Sequence, residues 1–346
     1  MQTLSKVNSE TKFILKWGVI IIGSILFLSI ALRIGNAIKE KIHPTPLPPP
    51  TVAFGKLDSI NFPANTNTNL LTYVLDTISG TLPIFPDRLR IYKIAQNRLD
   101  FLTLEKIQSK VSLLGFNKNR TLISDNTYQW VDQGNLLKKI SFNILTSNFT
   151  YSSSFITNPT IQSGANLPAE NEAINISKSF LENLSLNLDD IDFAKTKTTL
   201  HAIKNYALIP SESVSKAQII RVDFFQKDID KIPIFYPTAH FSTINLLVSG
   251  GSNPSIVEAS YAHKTILNEP ATYPIKSASQ AFLELKQGKA SVSSFANNNT
   301  NTAIKNIYLG YYLEEKEQKY LMPIIIFEGD NFTAYISAVK DEWVNK

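Results

Sequence analysis

The sequence contains no cysteine. That excludes disulfides, thiolate nucleophiles and cysteine-ligated metal sites together. Histidine is scarce, with only His43, His201, His240 and His263, and no two of them stand at a metal-ligand spacing such as H-x-x-x-H. The chain has no G-x-S-x-G elbow, no Walker loop and no G-x-G-x-x-G. No catalytic, cofactor-binding or metal-ligating residue can be named from the sequence, and the expectation is a protein that is not an enzyme. A basic surface is missing too. The net charge is +5, but Lys6, Lys12, Lys16, Arg33, Lys39 and Lys41 against Glu10 and Glu40 place +4 of it within residues 1–41. The rest of the chain is almost neutral, which argues against a nucleic-acid partner.

One long apolar run is present, "FILKWGVIIIGSILFLSIALRI", from Phe13 to Ile34. At a rise of about 1.5 Å per residue a helix of this length reaches roughly 33 Å, enough for a bilayer core of about 30 Å. Lys16 and Arg33 can snorkel to the headgroups, and Trp17 sits where an interfacial aromatic belongs. No small-residue cleavage site follows the apolar core, as a cleaved signal peptide would require. The reading is a single-pass transmembrane helix at 13–34, with the lipid bilayer as its partner. Residues 1–12 form a short cytoplasmic tail, and the large C-terminal region lies outside the cytoplasm. The charge bias across the span is nearly balanced, so this orientation rests on the short tail and the long C-terminal part.

Residues 35–50 carry "HPTPLPPP". Proline lacks an N–H and restricts the residue before it, so the helix cannot continue here. A polyproline II spacer of eight residues would span roughly 25 Å at about 3.1 Å per residue.

Beyond the spacer, helical and strand periodicities alternate. "TLEKIQSKVSLLGF" reads as a helix with Leu104, Ile107, Val111 and Leu114 on one face and Gly115 as its C′ residue. Ile140, Phe142 and Ile144 alternate with polar neighbours, as in a sheet with one covered face. These belong to a first α+β domain, 51–160. After the Ser/Asn/Pro-rich "TNPTIQSGANLP", a second α+β unit at 168–268 opens with "PAENEAINISKSFLENL", with Pro168 in the first helical turn. Strand candidates "TKTTLHAIKNYALI", "AQIIRVDFFQ" and "FSTINLLVSG" follow. A third unit at 275–346 opens with a capping box, Ser277 and Gln280. It continues through the Asn/Thr-rich "FANNNTNTA" to "IKNIYLGYYLEE" and "KYLMPIIIFEGDNFTAYISAV". The fold class expected is therefore α+β: a transmembrane helix followed by two or three helix-plus-antiparallel-sheet units.

Three features deserve separate readings. "VSGGSNP" places Gly-Gly beside Ser, which a turn between strands explains. "KDIDK" sets Asp228 and Asp230 two apart, but flanking Lys227 and Lys231 make it a solvated turn rather than an acid/base pair. Tyr311 and Tyr312 are adjacent on a strand, point to opposite faces, and so allow only one to be core; the other could serve an interface.

The C-terminal motifs resemble YycH/YycI-type regulatory proteins. The likeness lies in "IKSASQAFLELKQGKA", then "IKNIYLGYY", then "KYLMPIIIF" and a last strand, preceded by "VDFFQKDIDKIPIF". It covers about residues 168–340. The resemblance implies PepSY-like units outside the cytoplasm and a non-enzymatic protein that modulates a membrane sensor kinase. The alternative expectation is a cell-envelope scaffold, or a glycan- or cell-wall-binding protein held off the membrane by the spacer.

Overall fold

The computed structural model describes Trp17, residues 27–30, Arg33, and residues 49–64, 71–96, 103–116, 119–163, 166–295 and 301–345. The chain divides into two units, Met1–Pro49 and Pro50–Lys346. In the first, Trp17, residues 27–30 and Arg33 are helical and exposed. Most of the transmembrane helix expected at Phe13–Ile34 lies outside the described residues, as do His43 and all of the spacer except Pro49 and Pro50. The expectation is not supported. Among the described residues no helix is long and apolar enough to cross a membrane.

Two large sheets build the second unit. Nine strands form an antiparallel sheet in the order β3 (Arg120–Ser124), β4 (Thr127–Val131), β5 (Lys139–Asn143), β6 (Phe149–Ser152), β12 (Ile256–Tyr261), β11 (Ile244–Ser249), β9 (Ile219–Gln226), β7 (Ile191–Lys204) and β8 (Ala207–Pro210). The link from β7 to β8 is a two-residue turn with Asn205 at φ 49° and Tyr206 at φ 57°. Two positive φ values match the right-handed twist of a hairpin, which suits Asn at the first position. The sheet runs straight through the stretch expected as a linker, because β6 before it pairs with β12 after it.

One face of this sheet is apolar and is covered by α1 (Thr103–Leu113) and α3 (Glu170–Asn183). In α1, Ile107 and Val111 lie one turn apart and both are buried, and Gly115 adopts φ +85° after the last turn. In α3 the buried residues Ala173, Ser177 and Leu181 repeat every four positions. Ala169 is the N-cap of α3, so Pro168 stands just before the helix and not in its first turn. The sheet side contributes Trp130, Ile140, Phe142, Phe149 and Phe224. Trp130 is fully buried, and its indole Nε1 donates to Gln108 Oε1 at 2.8 Å.

The second sheet runs β10 (Ile234–Phe235), β16 (Asn306–Tyr312), β17 (Tyr320–Gly329), β18 (Phe332–Ser337) and β14 (Ser291–Phe295). It is extended by β2 (Arg88–Ile94), which pairs with both β17 and β13 (Ile266–Pro274). A short parallel pair, β1 (Thr72–Leu75) with β15 (Asn301–Ile304), lies apart from this path. Helix α4 (Ala278–Lys286) packs Ala281 and Leu285 into the core on one face. Its capping box forms as expected: Gln280 N donates to Ser277 Oγ at 3.2 Å and Ser277 N to Gln280 Oε1 at 2.9 Å. The opposite face is also covered, by Leu57, Ile91, Tyr273 and Val339. Burial on both faces explains why β17 reads as an almost unbroken apolar run.

That double burial corrects the reading of Tyr311 and Tyr312. The two do point to opposite faces, but both are fully buried, because neither face of β16 meets solvent there. Tyr311 Oη donates to Arg90 O at 2.8 Å.

The α+β class is corrected as well. The structure is dominated by strand, and the short helices α1, α3 and α4, with the single-turn α2 (Pro159–Gln162), only cover sheet faces. The physical reason is ladder continuity. An unpaired strand edge leaves N–H and C=O groups open, and here the edges of neighbouring segments satisfy one another instead of closing into small units.

Candidate functional site

The uncovered face of the nine-stranded sheet is polar. Residues paired in an antiparallel ladder put their side chains on the same face. Successive pairings carry one row across seven strands: Gln129 to Ser141, Ser141 to Thr150, Thr150 to Ser260, Ser260 to Asn245, Asn245 to Asp223, and Asp223 to Lys197. The alternation expected for β5 holds, with Ile140 and Phe142 buried and Ser141 on this side. Sequence reading found the alternation strand by strand. It could not find the row, because the row exists only once the register is fixed.

Two shallow cavities of about 310 and 380 Å³ follow this row and share Thr243, Asn245 and Glu315. Glu315 is exposed and belongs to the turn between β16 and β17, so the second sheet supplies one wall. At the far end of the same face an apolar cluster of Phe155, Ile219, Leu247 and Val257 closes the trough.

At the centre Arg221 and Asp223 form a bidentate pair, with Nε to Oδ2 at 2.7 Å and Nη2 to Oδ1 at 2.8 Å. Asp223 is buried and also accepts from Ser242 N at 2.8 Å. The Arg221 guanidinium stacks over the Phe241 ring, 4.7 Å from its centroid. Beside it, His201 is buried on β7 with Nδ1 3.4 Å from Thr199 O. Burial, with Arg221 adding to it, lowers the His201 imidazole below its ordinary range. Asn245 Nδ2 donates to Ser242 O at 3.0 Å, which fixes the amide of a residue that lines both cavities. The face thus offers hydroxyls and amides held by a rigid ladder around one neutralised ion pair.

The other singled-out residues lie elsewhere. His263 Nε2 is 2.8 Å from Asp190 Oδ1, in a structural pair that also takes Gln226 Nε2 at 2.7 Å. Burial would raise the Asp190 carboxyl, but the hydrogen bond and charge of His263, with Gln226, outweigh it and hold the group below the usual range. His240 is exposed, at φ +67°. Asp228 and Asp230 do not converge: Asp228 pairs with Lys195, whereas Asp230 takes Arg90 at 3.2 Å and the Tyr92 hydroxyl at 2.6 Å. "GGSNP" forms the turn between β11 and β12. Among the described residues no three His, Asp or Glu side chains gather as a metal site.

A larger depression, about 700 Å³, runs along α3 past Asn175, Ile176 and Asn183 to Ile256. It is a shallow helix-side trough without an ion pair or fixed polar array.

No protein-family model matches the chain, and no curated protein matches it. Among solved structures, an uncharacterized protein from Eubacterium rectale is 11% identical over 80% of this chain and 90% of its own, with a TM-score of 0.40. The C-terminal domain of YpeB from Bacillus megaterium is 11% identical over 71% of this chain and 95% of its own, with a TM-score of 0.31. Neither likeness is strong enough to fix fold or function here, and neither bears the YycH/YycI name.

Proposed function

We propose that this chain is a non-enzymatic binding protein, and that the polar face of its nine-stranded sheet takes a neutral, hydroxyl-rich chain such as an envelope glycan. The observation that carries this reading is the in-register row from Gln129 to Lys197. Amides and hydroxyls at strand spacing suit successive sugar hydroxyls, and a preformed sheet surface loses little entropy on binding. At one end of the face Phe241, under the Arg221 guanidinium, offers an aromatic ring to a sugar.

Calorimetric titration of the full chain with chitohexaose, cellohexaose and maltohexaose tests this. One of the three should bind, and the double variant Asn245→Ala/Ser260→Ala should weaken it by roughly tenfold or more, the loss of two neutral hydrogen bonds. No binding to any of them at millimolar concentration, or unchanged affinity in the variant, would refute the glycan reading.

A protein partner is the second reading, in line with the regulatory role that the YycH/YycI resemblance implies. It is favoured by β3, an edge strand on which all five residues are exposed, including Leu122 and Ile123. Such an edge can accept a further strand.

A further inference from the structure

The cavity of about 310 Å³ on the polar face is lined mainly by hydroxyls and amides, among them Ser141, Asn143, Asn148, Thr150, Asn245 and Ser260. Its one charged lining residue is Glu315, and no lysine or arginine lines it. The adjoining cavity of about 380 Å³ shares Glu315, and its one arginine, Arg221, is committed to Asp223. A single carboxylate thus stands over a recess whose other polar groups are neutral.

An exposed carboxylate alone is ordinary, because water satisfies it. Glu315 differs in what surrounds it. Its side chain makes no ion pair or hydrogen bond among the described residues. The nearby cation is otherwise engaged: Lys264 Nζ donates to Lys316 O and, at 3.3 Å, to Gln318 Oε1. The preceding carboxylate is used as well, since Glu314 Oε1 accepts from Asn61 N at 3.0 Å. Inside the cavity, Asn143 Nδ2 donates to Thr127 Oγ1 at 3.2 Å and Asn148 Oδ1 accepts from His263 N at 3.2 Å, so these amides are held by the fold. Thr150 and Ser260, opposite each other in the ladder, keep hydroxyls that make no hydrogen bond among the described residues. The recess therefore offers one carboxylate and two uncommitted hydroxyls.

We propose that the glycan taken by this face carries a free, protonated amine on one unit, an amino sugar without its N-acyl group. The proposal rests on the glycan reading and adds one charge to an otherwise neutral chain. Glu315 pairs with the ammonium, and Thr150 and Ser260 hydrogen-bond the hydroxyls of the same ring. An N-acetylated unit in this place presents a neutral amide to the carboxylate and forgoes the charge-assisted contact.

The test is calorimetric titration of the full chain with chitohexaose and with its fully de-N-acetylated form, hexaglucosamine, at low ionic strength and at a mildly acid pH that protonates the amines. Hexaglucosamine should bind roughly fivefold more tightly, the value of a charge-assisted contact to an exposed carboxylate. That preference should vanish in Glu315→Gln. It should persist in Glu317→Gln, which removes the same charge from the same turn but from a residue outside both cavity linings. Equal affinity for the two oligomers overturns the proposal. So does a preference that survives Glu315→Gln, or one that falls equally in Glu317→Gln, since attraction to the acidic turn as a whole would then account for it. If a neutral hexasaccharide binds and hexaglucosamine gains nothing over chitohexaose, this proposal fails and the glycan reading stands. If none of the oligomers binds at millimolar concentration, both fail.

Discussion

Gly310 offers the most direct test of the packing argument. Its φ is not in the left-handed region, so its role is not conformational. It is spatial: a Cβ at this position would lie 2.5 Å from Phe235 Cδ2 and 2.7 Å from Ile326 Cδ1. Carbon atoms prefer separations of about 3.5–4.0 Å, so Gly310→Ala requires movements of roughly 1 Å on both sides. Ile326 is fully buried in the central strand β17 and has nowhere to go. Phe235 is half-buried, but its ring is flanked by Tyr308 at 5.9 Å and Tyr335 at 5.8 Å. Overpacking of this kind costs about 1–3 kcal/mol. In a domain of this size each kcal/mol lowers the midpoint by roughly 2–4 °C. Gly310→Ala should therefore lose roughly 2–12 °C by thermal denaturation followed by circular dichroism. Phe235→Leu removes the ring edge, so the double variant should be more stable than the sum of the two single losses, by at least about 0.5 kcal/mol. A midpoint unchanged in Gly310→Ala, or strict additivity in the double variant, would show that the Phe235–Gly310 contact is not tight and would refute the reasoning.

Two further perturbations probe the core and the electrostatics. Gln108→Leu strands the buried Trp130 N–H, which donates to Gln108 Oε1 at 2.8 Å; the expected loss in urea denaturation is about 1–3 kcal/mol, and a loss below about 0.5 kcal/mol would mean that water or another group satisfies the indole. Lys264 hydrogen-bonds Lys316 O and, at 3.3 Å, Gln318 Oε1, and burial, partly offset by Glu314, Glu315 and Glu317, lowers its pKa from 10.5 to about 8. Because the folded value lies below the unfolded one, the unfolded chain binds more protons between pH 8 and 10.5, and stability should rise with pH across that window. Relative to Lys264→Met, the wild-type chain should gain at most about 1.4 kcal/mol per pH unit there; a flat or falling difference sinks the assignment.

Local patterns in the sequence carried most of the elements. The four-residue spacing of Ile107 and Val111, the alternation around Ile140 and Phe142, and the pairing of Ser277 with Gln280 each reflect contacts between near neighbours, and each has the local structure its residues dictate. The histidines read as isolated, and the three that are described stand apart on β7, on an exposed loop and against Asp190. The adjacent tyrosines show where such reasoning stops. Alternation says that Tyr311 and Tyr312 face opposite ways, but not that both faces of β16 are covered.

By itself, then, the sequence determined the composition, the absence of cysteine chemistry, the individual strands and helices, and which side of each is apolar. Only the tertiary structure decided which strands pair. β2 finds β13 and β17 far along the chain, and β6 finds β12 across the expected linker. From such pairings come the polar row and the Glu315 wall. The physical reason is that side-chain periodicity is local, whereas every strand edge offers the same backbone hydrogen bonds to any partner. Loop closure adds only about 0.6 kcal/mol per doubling of length, so it does little to single out the nearby one. The partner is chosen by how whole faces bury, which no short stretch of residues records.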